Sequence, residues 1–138
     1  MIKALIDTNV IIDFFLRREP FYRNAETILQ KIGDKKVEGY ISASTVTDIF
    51  YLLRKAKGNL AATNCILKLI QIIEILGVDK QTIIDALQLN WTDFEDAVQA
   101  QVAIENEVDV IVTRDTKHFQ RIKKIKVLTP KEFIEEEE

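Results

Sequence analysis

Short runs of apolar, mostly β-branched residues alternate along the chain with longer segments of helical periodicity. The helical segments repeat apolar residues at i, i+3, i+4 and i+7, as in Val46, Ile49, Phe50 and Leu53. Together the two patterns predict about four strands among roughly seven helices, and their alternation indicates an α/β fold with a mainly parallel sheet. The predicted strands cover residues 2–6, 39–43, 108–113 and 126–128.

Capping and stop residues set the expected helix boundaries. Gly33 and Gly58 are placed to end two helices, Asp79 to begin one, and Thr92 with Glu95 to form a capping box at the start of another. The predicted helices cover 10–16, 22–32, 44–57, 59–73, 79–89, 92–106 and 118–122, and Thr129-Pro130 marks the start of a last one.

Composition indicates one ordinary globular domain. The chain has 138 residues, of which 47% are hydrophobic and 30% charged, which suits a single core over residues 1–134 with an acidic tail at 135–138. The single cysteine, Cys65, excludes an internal disulfide and a cysteine-based metal cluster. The absence of a basic leader and of a membrane-length apolar run predicts a cytoplasmic protein without a membrane partner.

The formal net charge is −3, which by itself disfavours a nucleic-acid partner. Leaving out the four glutamates of the tail changes the charge to +1. If several of the remaining acids lie together in one site, the rest of the surface is mildly basic. The distribution of charge therefore matters more than the total.

Two aspartates end predicted strands that lie almost the whole chain apart. Asp7 follows the first strand, and Asp115 follows the strand at 108–113. In an open parallel sheet, ligands bind beyond the carboxyl ends of the strands, so these carboxylates can meet in one pocket. Because like charges held together repel, the pair predicts a bound cation.

Further aspartates lie near the starts of two helices. Asp48 falls opposite the apolar stripe of its helix, and Asp93 and Asp96 lie one turn apart. Taken singly, each of these acids also fits a cap or a charge that complements the helix dipole. The joint pattern of acids at two strand ends and two helix starts favours a metal site.

Magnesium suits an all-carboxylate cluster, because it prefers oxygen ligands and keeps several waters. A zinc site built from several histidines is excluded, since His118 is the single histidine. His118 lies in a basic segment, where we expect a surface residue or a phosphate contact.

Four segments in order resemble the PIN-domain family, the nuclease fold of VapC-like toxins. Any one of these motifs is weak, but all four in the family's order are specific, and the resemblance covers essentially the whole chain. The D-F-E-D-A form is similar to one PIN subgroup. The segments are LIDTNVIIDFF at 5–15, SASTVTDIFYLL at 42–53, DFEDAVQAQVA at 93–103 and IVTRD at 111–115.

The resemblance implies a three-layer sandwich, a central, mainly parallel sheet flanked by helices, with an acidic site that binds Mg²⁺ or Mn²⁺. Asp48 stands where many members have glutamate, and we expect it to position water or complete a second metal site. Asn9 and Thr113 are expected to orient carboxylates or bound water. By position, the catalytic acids are Asp7, Asp48, Asp96 and Asp115, and the metal ligands are Asp7, Asp96, Asp115 and, as an accessory, Asp93.

The expected activity is metal-assisted hydrolysis of phosphodiester bonds in single-stranded RNA by a toxin endoribonuclease. Such a reaction needs no protein nucleophile, in agreement with the lack of a serine–histidine or cysteine–histidine pattern. Arg114 and Lys117, beside Asp115, are the preferred substrate contacts. The other candidate phosphate contacts are Arg17, Arg18, Arg121, Lys123 and Lys124.

Two other classes of protein remain as alternatives. The first is a non-catalytic PIN scaffold that binds RNA or protein. The second, a phosphotransfer receiver domain, is disfavoured because the strand at 39–43 carries no acid and the strand at 126–128 ends without a lysine. A toxin of this family would have an antitoxin partner and form a homodimer. The aromatics that could supply such an interface, or else belong to the core, are Phe14, Phe15, Phe21 and Tyr22.

Overall fold

Five parallel strands form the centre of a computed structural model that describes residues 1–137. From one edge to the other, the sheet order is β3-β2-β1-β4-β5, so the first and fourth strands are neighbours at the centre. The strands are β1 (Lys3–Ile6), β2 (Glu38–Ser42), β3 (Glu74–Leu76), β4 (Val110–Val112) and β5 (Lys126–Leu128).

Seven α-helices and one 3-10 turn connect and cover these strands within residues 1–137. The 3-10 turn spans Thr116–Phe119, directly after Asp115. The helices are α1 (Thr8–Phe15), α2 (Tyr22–Gly33), α3 (Ala43–Lys57), α4 (Asn59–Leu69), α5 (Lys80–Gln88), α6 (Phe94–Glu105) and α7 (Pro130–Glu137).

Side chains of the central strands alternate between two cores. Ala4 and Ile6 of β1 pack into one core with α1, α2, α3 and α7, whereas Leu5 packs on the other face with α6 and Phe119. In β4, Ile111 faces the same core as Leu5. This alternation follows from the period of two along a strand. The predicted three-layer sandwich with a parallel sheet is therefore confirmed.

The register of β1 and β4 brings their carboxyl ends level. Ile6 pairs with Val112, and the next backbone amide, of Asp7, donates to the Val112 carbonyl at 2.9 Å. Asp7 and Thr113 consequently leave the sheet side by side. Two segments that are far apart in sequence are thus joined at one edge of the sheet.

The edge strand β3 was missing from the sequence prediction, which extended the preceding helix to Ile73. β3 has only three residues, and Glu74 and Ile75 are exposed. An edge strand packs few of its side chains, so it lacks the buried apolar run by which a central strand is recognised. Helix α4 instead ends at Leu69.

Several predicted helix boundaries are correct and others are shifted. Asp79 caps α5 in a capping box, and Gly58, with φ of +91°, ends α3 in a conformation that favours glycine. The predicted Thr92–Glu95 box is wrong, because Asp93 caps α6 by accepting from the Asp96 amide at 3.2 Å. An aspartate is the stronger cap and displaces the start by one residue.

Three more helix starts differ from prediction. Ser42, not Ser44, caps α3, and α1 begins at Thr8 because the Asp7 carboxylate accepts from the Thr8 amide. The basic segment predicted as a helix at 118–122 forms the earlier 3-10 turn. Helix boundaries of this kind depend on which of several nearby polar side chains reaches the first free amide.

The last described helix, α7, follows a cap at Thr129. The Thr129 hydroxyl accepts from the Glu132 amide at 3.1 Å, as the sequence predicted. Helix α7 extends through Glu137, so it includes most of the predicted acidic tail, and Glu138 lies outside the described residues. Among residues 1–137, none of the helices is both long and apolar enough to cross a membrane.

We expect Gly39→Ala in β2 to lower the free energy of unfolding by about 1–3 kcal/mol. A Cβ at this position would lie closer than van der Waals contact to three atoms of the buried Ile32 side chain. Urea titration monitored by circular dichroism measures the change.

Gly77→Ala is the matched control, because a Cβ there meets no atom within 4 Å among the described residues. Its effect should stay within about 0.5 kcal/mol. Equal losses for the two variants would contradict close packing of β2 on α2.

Candidate metal centre

The Asp7 carboxylate lies at the carboxyl end of β1 and is only 8% exposed. It accepts hydrogen bonds from the Thr8 amide at 2.8 Å, from Gln99 Nε2 at 3.0 Å and from Thr113 Oγ1 at 2.7 Å. All three donors are neutral, so they solvate the carboxylate without compensating its charge. Asp7 is therefore held rigidly as a buried anion.

Asp96 brings a second carboxylate to this edge from the first turn of α6. Burial, followed by the nearby Asp93 charge, raises the pKa of Asp96 to about 6. Asp7 adds to this increase, while His118, whose Nδ1 lies 3.2 Å from Asp96 Oδ2, opposes it. Burial of the carboxylate is therefore the main cause of the increase, and the neighbouring acids add to it.

Asp115 contributes a third, exposed carboxylate after β4. Its amide donates to Thr113 Oγ1 at 3.0 Å, and its Oδ2 accepts from Asn9 Nδ2 at 3.4 Å. The Thr113 hydroxyl therefore contacts both Asp7 and the backbone of Asp115. Asn9 thus contacts Asp115, and the role of Asn9 and Thr113 in orienting carboxylates or water stays a prediction.

Asp48 approaches the site from α3 and is half-buried. Its charge is the largest cause of a raised pKa at Glu95, in the first turn of α6, and burial and Asp93 add to it. Within the described residues, Asp48 makes no hydrogen bond to Asp7, Asp96 or Asp115. It thus lies at the side of the cluster, next to the start of α6.

Three contacts of the site were not found from the sequence. Gln99 lies one turn after Asp96 on the same face of α6, a spacing that could have indicated its contact with Asp7. His118 is exposed, as expected, but its contact with Asp96 was not predicted. The pairing of Asp13 with Arg114 had no signal in the sequence.

The two preferred substrate contacts differ in their surroundings. The Arg114 guanidinium forms an ion pair with the buried Asp13 at 2.7 Å and lies 3.9 Å from the centre of the Phe21 ring. Lys117 is exposed on the 3-10 turn that follows Asp115. Only the lysine thus presents its charge directly to solvent beside the acids.

The residues fit a hard divalent cation by their donor chemistry. Asp7, Asp93 and Asp96 supply carboxylate oxygens within electrostatic reach of one another. Among residues 1–137, no three acidic, histidine or cysteine side chains converge closely enough to enclose an ion. This arrangement matches Mg²⁺, which commonly binds one or two carboxylates and completes its octahedron with waters and substrate phosphates. The buried Gln99 Oε1, without a hydrogen-bond partner, leaves an acceptor beside Asp7.

Comparison with known proteins gives concordant results. A sequence profile described as the PIN domain matches residues 3–117. Ribonuclease VapC1 of Aquifex aeolicus (strain VF5) is 27% identical in an alignment of 138 positions, gaps included. The alignment covers 96% of this chain and 94% of the relative.

Solved structures with similar folds include DNA-bound VapBC from Salmonella typhimurium. Its TM-score is 0.73 at 21% identity, over 94% of this chain and 99% of the other, which shows likeness of fold alone. A toxin–antitoxin complex from Klebsiella pneumoniae has a TM-score of 0.67 at 27% identity, over 92% of this chain and 97% of the other.

We expect Asp96→Asn to stabilise the metal-free protein at pH 7.5 by about 1–2 kcal/mol, after discounting for partial exposure. Because the folded-state pKa is about 6 and the ordinary value 3.8, the folded state holds this proton more tightly. Protonation of Asp96 therefore stabilises the folded protein fully below pH 3.8, and this stabilisation is lost as the pH rises through about 6. The gain from the substitution should therefore shrink at pH 4.5.

Urea titrations in EDTA at both pH values measure this difference. Glu19→Gln, which removes one exposed carboxylate outside the site, is the control and should show no such pH dependence. A gain at pH 4.5 as large as at pH 7.5 would contradict the raised pKa of Asp96.

Proposed function

The chain belongs to the PIN-domain family, and from that premise we propose that it is a divalent-metal-dependent endoribonuclease, the toxin of a toxin–antitoxin pair. Its substrate would be single-stranded RNA. The observation that carries the proposal is that the Thr113 hydroxyl contacts both Asp7 and the backbone of Asp115, while Asp7 and Asp96 lie within electrostatic reach of each other. The likeness over nearly the full length to Ribonuclease VapC1 supports the same activity.

Asp7, Asp96 and Asp115 would hold Mg²⁺ or Mn²⁺, with Asp93 as an accessory acid. When bound, such an ion lowers the pKa of water and stabilises negative charge on a phosphoryl group. The protein's own contribution is to hold the carboxylates in place before the ion arrives. Thr113 does so for Asp7 through a hydrogen bond of 2.7 Å.

The remaining polar groups would orient the reactants. Asn9 donates to Asp115 and so directs one of its oxygens. Asp48, whose charge acts on Glu95 at the start of α6, would position the attacking water. A phosphodiester could be hydrolysed in this way without a covalent intermediate on the protein.

RNA would approach across the basic turn that follows Asp115. Lys117 is exposed there, and Arg121 lines a cleft of about 310 Å³ together with Asp93, Asp96 and His118. Cations at this rim are needed because a polyanion must approach a cluster of acids. We expect Lys117 to contact a phosphate that is not the one hydrolysed.

An antitoxin partner is supported by the toxin–antitoxin complexes among the structural relatives. An open groove of about 380 Å³ between α2 and α4 has an apolar floor with a polar rim. It is lined by Phe14, Phe15, Leu29, Leu69 and Ile72, together with Glu26, Gln30 and Lys68. We propose that an apolar segment of the antitoxin binds there, and that the protein acts as a homodimer in the cytoplasm. Phe14 and Phe15 also pack on the main core, and their role in an interface stays a prediction.

We expect purified protein to cleave a mixed single-stranded RNA in the presence of Mg²⁺ or Mn²⁺, and EDTA to abolish cleavage. Substitution of a residue that merely supports a metal ligand typically costs about 10–100-fold in activity, and Asp7→Asn should lower the cleavage rate by more than that. Time courses on denaturing gels measure both effects.

Asp34→Asn is the matched control for this experiment, because Asp34 is exposed at the end of α2, outside the cluster. Cleavage that survives in Asp7→Asn would point to a contaminating nuclease and refute the role of Asp7. RNA binding without any cleavage would favour the non-catalytic scaffold.

Lys117→Gln should weaken RNA binding in EDTA and reduce the slope of log affinity against log salt by about 1, as expected for loss of one phosphate contact. Fluorescence anisotropy at several salt concentrations measures the slope. Lys57→Gln, at the end of α3, serves as the charge-matched control. An unchanged slope for Lys117→Gln would exclude the contact.

A further inference from the structure

The Arg114 side chain is engaged with the buried carboxylate of Asp13 in α1. Its Nε donates to Asp13 Oδ2 at 2.7 Å and its Nη2 to Asp13 Oδ1 at 3.2 Å. The Asp13 side chain is only 1% exposed. Two parallel hydrogen bonds of this kind fix the plane of the guanidinium as well as its position.

The guanidinium has a second contact, with an aromatic ring. The Arg114 guanidinium carbon lies 3.9 Å from the centre of the Phe21 ring, within the range of a cation–π contact. Asp13 belongs to α1, and Phe21 precedes α2. The arginine is thus held between two helices, and 27% of its side chain is exposed.

The backbone of Arg114 lies between two polar residues of the site. On one side, Thr113 donates its hydroxyl to Asp7, and on the other Asp115 accepts from Asn9. The Arg114 amide itself lies 3.5 Å from Asn9 Oδ1. Anchoring the Arg114 side chain therefore restrains the short segment that carries both neighbours.

We propose that Arg114 is a positioning residue, whose ion pair with Asp13 holds Thr113 and Asp115 in place for metal binding and cleavage. This inference rests on the proposed nuclease function, and it replaces the direct phosphate contact predicted from the sequence. The Asp13 carboxylate takes the Nε and Nη2 edge of the guanidinium, so a phosphate would have to use the remaining Nη donors or break the ion pair. Removing one member of a buried ion pair is strongly unfavourable, so the pair persists when RNA binds.

The test compares Arg114→Gln, Asp13→Asn and the double variant that carries both substitutions. In the double variant both charges are replaced by neutral amides, so no buried charge is left without a partner. Four quantities are measured well below each variant's Tm: kcat and KM for RNA cleavage, RNA affinity in EDTA, and Mn²⁺ affinity by calorimetry. Arg23→Gln, an exposed arginine of α2, is the matched control.

A positioning role predicts that Arg114→Gln and Asp13→Asn each lower kcat and Mn²⁺ affinity by about 10-fold or more, the usual effect of disturbing the support of a metal ligand. The double variant should lose no more than either single variant, because both substitutions break the same ion pair. RNA affinity in EDTA should remain that of the wild type in all three variants.

A direct phosphate contact predicts a different pattern, which would overturn the proposal. Arg114→Gln and the double variant would then both bind RNA more weakly, and Asp13→Asn would not. A merely structural ion pair would lower Tm while leaving kcat and Mn²⁺ affinity unchanged, which would also overturn it.

Wild-type behaviour separates this proposal from the proposed function. A wild type that binds Mn²⁺ but does not cleave RNA contradicts the nuclease function alone, and the Mn²⁺ affinities of the variants still decide the role of Arg114. A wild type that does not bind Mn²⁺ overturns both.

Discussion

Asp7 carries a carboxylate into the interior, where it accepts from three elements at once. Its partners are the amide at the start of α1, Thr113 after β4 and Gln99 of α6. A buried charge without such donors would be strongly unfavourable, so these contacts must form together. They require β1 and β4 to be neighbours and α6 to cross their carboxyl ends. The strand order of the sheet and the position of Asp7 therefore depend on each other.

This arrangement destabilises the ionised form of Asp96, which lies within electrostatic reach of Asp7 and Asp93. Burial and like charges raise its pKa, so at neutral pH this carboxylate opposes folding. A divalent cation would reverse the sign of this contribution by neutralising the cluster. Strain of this kind, a local loss of stability that a ligand can relieve, is typical of functional sites.

Two buried aspartates near the start of the chain differ in how their charge is compensated. Asp13 has a full positive charge beside it, from Arg114, whereas the Asp7 donors are neutral. Asp13 therefore already has a cationic partner, although burial still raises its pKa, whereas Asp7 accepts only from neutral donors among the described residues. Asp13, within α1, is thus a structural carboxylate, whereas Asp7, the N-cap of the same helix, is a candidate metal ligand.

The pattern of the chain by itself determined the α/β class, the central strands, and Asp7 and Asp115 as acids at strand ends, because period and strand polarity are local properties. Only the tertiary structure decided the edge strand β3 and the partners of the acids. Gln99 and Arg114 lie far along the chain from Asp7 and Asp13, so no local pattern predicts which donor reaches which carboxylate. Those pairings depend on how helices cross the sheet, and that crossing is set by packing of the whole core.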